Sequence, residues 1–361
     1  MDPHLRLRGS CQLLHAFDVG FEIDLPKAMA KLSVVEPARP DLRKGRLPVA
    51  DQTGGQALRS SHRCEPVDLG AGRTEAEVAV TLYRFGVLSL SFSAPFESSL
   101  EDLRRVAADP DDGGRLKARA TELAAELLRD LGDAVSRPGL SSVHEDYRLV
   151  VLEPAAGVTL REIEAAPELL AGVLRAEDRP LAEDEVRDAL KERVSYFPDE
   201  AVWIDWLGAV LVGDDMTAEC QVLELATAEL TATRFLDAQL QGGVEASYGT
   251  LDRASRGLGR LLLSTRDLQR AARLQADHAL LREVADNPLK LLGDDYLARL
   301  YDAASRRFRF DERDAAVERK LATLRSIHQQ IFDLAGVFRS ELLEWIIIIL
   351  IAVDIVIYLL P

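Results

Sequence analysis

The stretch from Trp345 to Leu360 places the firmest limit on what this chain can fold into. It reads Trp-Ile-Ile-Ile-Ile-Leu-Ile-Ala-Val-Asp-Ile-Val-Ile-Tyr-Leu-Leu, and fifteen of its sixteen residues are apolar or aromatic. As a helix it is about 24 Å long, slightly short of a hydrocarbon core of about 30 Å. Adding Leu342 and Leu343 closes most of that gap. Trp345 and Tyr358 stand near the two ends, where amphipathic rings favour the membrane interfaces, with Ile346 and Leu350 between them. The pattern predicts a transmembrane tail anchor over residues 342–360, followed only by Pro361. The competing reading is a buried strand or helix, since isoleucine-rich runs occur in parallel sheets. Such strands rarely run so long. Lys320, Arg325 and Arg339 on the body side favour a cytoplasmic body, diluted by Glu341 and Glu344. Asp354 interrupts the run, where a carboxylate costs roughly 2.5–3.5 kcal/mol on insertion scales. Two readings stay open: it meets another helix, or it is protonated and tolerated.

Upstream, Val317, Leu321, Leu324, Ile327, Ile331, Leu334, Phe338, Leu342 and Trp345 recur at steps of three and four, one face of an amphipathic helix. No proline interrupts Asp311 to Leu360, so a single helix on the order of 75 Å is expected to run from the body toward the membrane. The stripe serves packing within the body or a coiled-coil seam.

The net charge of −16 argues against direct nucleic-acid binding, which needs clustered Lys and Arg. Cys11, Cys64 and Cys220 are too few and too scattered for a disulfide framework or a paired metal knuckle. Asp2, Asp18, Glu22 and Asp24 fit neither a signal nor a transit peptide, so the body is expected to stay where it is made.

The remaining pattern predicts an α+β chain: a ferredoxin-like α/β sandwich, then a long-helix bundle, then the transmembrane helix. Residues 1–155 form the first domain, with strands at Gln12–Val19, Glu77–Tyr83, Val87–Phe92 and Tyr147–Leu152. Helices are expected at Leu25–Leu32, Leu100–Ala108 and Leu116–Leu131, giving the order β-α-β-β-α-β. Residues 34–74, rich in proline, glycine and arginine, form a flexible insertion. Residues 156–340 form a mainly helical domain, with strand character at Val202–Val212. Its long antiparallel helices cover Thr217–Leu240 and the repeats around Leu251–Leu262 and Leu268–Val284, with breaks near Gly242-Gly243 and Ser264-Thr265.

Catalytic patterns fail on inspection. Asp109–Gly114 resembles a calcium loop, but its twelfth position is Ala120, where a bidentate acid is needed. His62 and Cys64 lack a second ligand pair, and His4, His15, His144, His278 and His328 have no ligand spacing. Gly257-Leu258-Gly259 lacks the third glycine of a dinucleotide loop. No cofactor is implied. An enzyme or ligand sensor would be sought at Trp203, Asp205, Trp206, Asp214 and Asp215, although packing in a core is the better reading of both tryptophans.

Three stretches carry a family resemblance. Val222-Leu223-Glu224-Leu225 leads to Thr233-Arg234-Phe235-Leu236-Asp237. Asn287-Pro288-Leu289-Lys290-Leu291 precedes Asp294-Asp295-Tyr296-Leu297-Ala298-Arg299-Leu300-Tyr301. Leu343-Glu344-Trp345 runs into an isoleucine-rich segment. Over roughly residues 195–361 the chain resembles the required-for-meiotic-nuclear-division family, also known as domain of unknown function 155. The resemblance marks Glu224, Arg234, Asp237, Tyr296, Arg299, Tyr301 and Glu344, and it brings no catalytic residues. It implies a non-enzymatic scaffold or tether that forms homo-oligomers through its helices and supports translation at a membrane. Partners would be membrane lipid, a second copy, and a ribosome or another membrane protein. A bacterial inner membrane is the expected location, a mitochondrial inner membrane the alternative.

Overall fold

The computed structural model describes residues 6–32, 57–68, 72–108, 114–153, 159–255 and 295–359. Its strands are β1 (Arg6–Asp18), β2 (Glu22–Ile23), β3 (Ala57–Arg63), β4 (Glu77–Tyr83), β5 (Val87–Ser99), β6 (Val135–Ser136), β7 (His144–Glu153), β8 (Arg193–Val194), β9 (Ala201–Ile204) and β10 (Gly208–Val212). Its helices are α1 (Leu25–Lys31), α2 (Leu100–Ala108), α3 (Arg115–Leu131), α4 (Leu160–Glu164), α5 (Pro167–Arg175), α6 (Glu183–Ala189), α7 (Thr217–Ser255), α8 (Asp295–Phe308) and α9 (Phe310–Leu359). The chain divides into two compact units, Met1–Phe235 with Leu280–Asp311, and Leu236–Ala279 with Glu312–Pro361.

An eight-stranded sheet of order β3-β4-β5-β1-β7-β10-β9-β8 organises the first unit. Its centre, β4-β5-β1-β7, is antiparallel throughout and carries the expected β-α-β-β-α-β connectivity. β1 and β5 pair along their whole length, from Arg6 opposite Ser99 to Asp18 opposite Val87. Strands covered on both faces must carry apolar side chains on both faces, and β1 and β5 do so. Leu13, Phe17, Leu90 and Phe92 join a core with Leu103, Leu123 and Leu127 of α2 and α3. Leu14, Ala16 and Val87 join another with Leu223, Leu300 and Phe308 of α7 and α8. Helices therefore lie on each face of the sheet, giving three layers.

The turn from β4 to β5 depends on Gly86, whose φ of +87° suits a residue without Cβ. A Cβ there would stand 1.9 Å from the Gly20 carbonyl oxygen. On β7 the buried Arg148 donates to Ala107 O and Val173 O, each at 2.6 Å. These carbonyls belong to the last turns of α2 and α5, so one guanidinium satisfies two helix C-termini.

Several expectations change. Residues 57–63, read as part of the loop insertion 34–74, form the edge strand β3 against β4. An edge strand has one neighbour, so it tolerates the polar side chains of Arg59, Ser60, Ser61 and His62 that hid it. Residues 33–56 lie outside the described residues. The sheet also runs past the boundary expected at 155: β10 pairs in parallel with β7, Ala209 opposite Leu149. Parallel pairing needs a long crossover, here carrying α4, α5 and α6, and no local pattern announces it. The stretch 202–212 resolves into the hairpin β9–β10. α7 continues through Gly242-Gly243 to Ser255, since a glycine weakens a helix by about 1 kcal/mol without ending it. Of the repeat expected around Leu251–Leu262, residues 251–255 continue α7, and the rest lies outside the described residues, as do Leu268–Val284, Asp109–Asp112 and His278.

In the second unit the C-terminal half of α7 and most of α9 carry the buried side chains. Leu236, Leu240, Val317, Leu321, Leu324 and Ile327 are buried, and Lys320 Nζ lies 2.7 Å from Asp237 Oδ1. The predicted stripe of α9 is thus buried over its first four members. Trp345, its last, is 65% exposed.

Candidate functional site

Three buried polar groupings and one exposed apolar segment stand out. The first is built at the β9–β10 turn. Asp205 is fully buried, and its N–H donates to Gly208 O at 2.9 Å. Arg307, in the last turn of α8, donates Nε to Asp205 Oδ1 at 2.7 Å. Arg175, ending α5, ion-pairs with Oδ2. Asp188 of α6 bridges the two guanidiniums, 2.6 Å from Arg175 and 2.8 Å from Arg307, and Glu185 adds a contact to Arg175 at 2.9 Å. Tyr147 OH donates to the Asp205 carbonyl at 2.9 Å. Both carboxylate oxygens of Asp205 thus face guanidiniums. The arrangement joins a turn, two short helices and α8 through the paired oxygens of Asp205.

The neighbouring residues singled out in the sequence do not converge on it. Trp203 is buried in the sheet core with Arg193 over its ring at 5.5 Å. Trp206 is half-buried under Arg309, 5.8 Å away. Asp214 is exposed, and Asp215 Oδ1 accepts from Thr217 N at 3.1 Å at the start of α7. The sequence offered no route to Arg175, Asp188 or Arg307 as partners of Asp205. Asp188 lies 13 positions from Arg175 and 119 from Arg307.

The second grouping lies on α7, which is buried all round from Glu219 to Ala232. Such a helix must pair every charge it carries. Glu224 accepts from Arg59 Nη1 of β3 at 2.7 Å, and its charge is the main reason the Arg59 guanidinium is raised above its usual pKa. Tyr301 OH of α8 donates to Glu229. Burial drives the hydroxyl of Tyr83, beside Glu224, well above the usual range.

The third lies on the other sheet face, where His144 stacks on His15 at 6.4 Å and on Phe17 at 5.6 Å. Burial lowers the His144 pKa. Asp18, ending β1, is 4% exposed, and burial pushes its carboxyl up to about 8. The pairing of β1 with β7 unites these histidines across 129 positions, which no spacing rule detects. Among the described residues no cluster of three or more His, Cys, Asp and Glu is placed to hold a metal ion. The three cysteines are buried and unpaired with one another.

The residues marked by the family resemblance scatter. Glu224 and Tyr301 belong to the second grouping. Arg234 ion-pairs with Glu145, and Asp237 with Lys320. Tyr296 is buried against Tyr196, ring centroids 5.2 Å apart. Arg299 lies 3.8 Å from Asp295 on its own helix. Asp294 and the Asn287–Leu291 stretch lie outside the described residues, and Glu344 is exposed.

The exposed segment is on α9. From Leu343 to Ile355 every residue is exposed, including Trp345 at 65%, Ile346 at 44% and Leu350 at 61%. Among the described residues no helix is long and apolar enough to cross a membrane. The described side chains of this run cover thirteen positions, about 20 Å of helix. The Tyr358 side chain lies beyond them.

Comparison with known proteins adds two matches. The family model described as "Uncharacterized protein MJ0711, N-terminal domain" matches residues 8–219. "Uncharacterized protein MJ0711" of Methanocaldococcus jannaschii is 25% identical over 195 residues, which is 53% of this chain and 59% of that protein. The chain therefore spans less than two thirds of that relative. No solved structure matches at a significant level. The family match covers the sheet and the start of α7, whereas the resemblance to the meiotic-division family rests on residues from Val222 onward.

Proposed function

The chain belongs to the MJ0711 N-terminal domain family, and from that footing we propose that it is a non-enzymatic membrane-anchored scaffold. The observation that carries this reading is the α9 run. Ten large apolar side chains between Leu343 and Ile355 are 44–65% exposed. They occupy every side of the helix, not one stripe. A helix apolar on all sides needs a protein core or lipid around it, and among the described residues nothing covers this one from Leu343 to Ile355. The sequence stays apolar to Leu360 except at Asp354, and the α9 backbone is helical to Leu359. From Leu342 to Leu359 that is about 27 Å, close to the hydrocarbon thickness of about 30 Å.

The ion-paired groupings support a scaffold in preference to an enzyme, because their charges are consumed by internal partners. In this reading the body faces the cytoplasm of a bacterial inner membrane, self-associates through its helices, and holds a partner near the bilayer. The resemblance to the meiotic-division family supports a link to translation there.

The test is flotation of the full chain with liposomes, followed by a carbonate wash. The parent is expected to float and stay with the lipid. A variant carrying Ile347→Arg and Ile351→Arg is expected to remain in the aqueous fraction. A parent that sediments free of lipid overturns the reading.

A further inference from the structure

We propose that a buried polar site between the sheet and α7 binds a small uncharged molecule through its hydroxyl groups, one oxygen bridging Thr81 and Ser89. The site lies wholly within the first unit and does not rest on the membrane reading.

Strand pairing sets one row of side chains across the sheet. Arg59 of β3 stands opposite Thr81 of β4, Thr81 opposite Ser89 of β5, and Ser89 opposite Ala16 of β1. Residues paired in this way share a face, and Ala16 belongs to the core formed with α7 and α8. Thr81 is 4% exposed and Ser89 1%. Neither hydroxyl makes a hydrogen bond, even to the other. From α7, Glu224 reaches this row by accepting from Arg59 through Oε2, and its buried Oε1 has no hydrogen bond of its own. Glu224 and Arg59 also act on Tyr83, two residues along β4 from Thr81 and on the same face. The carboxylate therefore stands on the Thr81 side of the row.

A buried hydroxyl or carboxylate oxygen gives up its water, so native structures pair nearly all of them with protein or with an ordered molecule. Here the spacing suits a shared partner. Neighbouring strands lie about 4.8 Å apart, and two hydrogen bonds of about 2.8 Å through one oxygen span up to about 5.6 Å. One foreign oxygen thus fits between Thr81 and Ser89, accepting from one and donating to the other. A second hydroxyl beside it would donate to Glu224 Oε1. The way in is from the sheet edge, where the Arg59 side chain is 24% exposed, and the fully buried Ala16 closes the inner end. Arg59 and Glu224 neutralise each other, so a charged ligand would be buried without a counterion. Water and a small polyol offer the same oxygen.

The test is urea unfolding of the full chain in mild detergent, comparing the parent with Thr81→Val, Ser89→Ala and the double variant. With a bridging oxygen, each single change is expected to shift the unfolding equilibrium about two- to tenfold toward the unfolded chain. The double variant is expected to cost little more than the worse single one, because the bridge is lost only once. Without a bridge, removing an unpartnered hydroxyl is neutral or stabilising. Either single variant matching or exceeding the parent, or fully additive costs, overturns the proposal. Repeating the series in glycerol separates the two sources, since exclusion from the surface stabilises every variant alike. A larger gain for the parent than for the double variant assigns the site to a polyol, and an equal gain assigns it to ordered water.

Discussion

Replacing Arg307 by Met tests the role of the ionic centre around Asp205. Arg307 is 10% exposed in its side chain and Asp205 not at all. The guanidinium donates to Asp205 at 2.7 Å and to Asp188 at 2.8 Å. Methionine keeps most of the apolar stem and removes both contacts. Breaking a buried ion pair from one side costs about 3–5 kcal/mol, because a charge stays behind without compensation. Arg175 remains on the other oxygen of Asp205, so roughly 2–4 kcal/mol is expected. At 1.4 kcal/mol per tenfold, that shifts the unfolding equilibrium by about 30- to 700-fold. The control is Arg6→Met, which breaks a pair to Glu97 whose side chains are 77% and 63% exposed. Such a pair contributes at most about 1 kcal/mol. The assay is urea unfolding of the full chain in mild detergent, read by near-ultraviolet circular dichroism, which senses Trp206 beside the centre. A cost for Arg307→Met no larger than for Arg6→Met would refute the claim that this network holds the β9–β10 turn to α8.

Two further outcomes are expected. The Asp18 carboxyl, held at about 8 in the folded chain against an ordinary 3.8, binds its proton more tightly when folded. Its contribution is complete below about pH 4 and is lost as pH rises toward 8, on the order of a few kcal/mol. Asp18→Asn should flatten stability between pH 5 and 8 in the same unfolding assay, and an unchanged slope would exclude Asp18 as its source. Gly86→Ala places a Cβ 1.9 Å from a backbone oxygen at positive φ, so a loss of more than about 2 kcal/mol is expected; a melting temperature equal to the parent's would count against this account of the turn.

Elements with a local signature were legible in the sequence. The strand Glu77–Tyr83 and the helix Leu100–Ala108 fall where the pattern put them, because their apolar spacing shows in the sequence. The partnerships that assemble them were not legible. β3 escaped because an edge strand need not be apolar. β10 escaped as a continuation of the sheet because its partner β7 lies 60 positions upstream, with Gly208 opposite Arg148. The same holds for the candidate sites. Asp205 was marked from its acidic, tryptophan-flanked setting, but the arginines that neutralise it come from α5 and α8. The α9 run was legible as a helix, whereas among the described residues no helix is long and apolar enough to cross a membrane.

The first unit draws on chain that is far apart in sequence: Arg307 reaches back 102 positions to Asp205. During synthesis, β9 and β10 therefore emerge well before the arginine that compensates their buried acid. Until α8 arrives, Asp205 lacks the second of its two guanidiniums and keeps Arg175 and the Trp206 N–H. The exposed apolar run begins at Leu343, only 36 residues after Arg307. A growing chain thus completes its ionic centre shortly before it must dispose of its most water-averse segment. Slowing elongation between those two points would give the body time to close first, whereas a pause before α8 would leave an unfinished sheet waiting for its final helix.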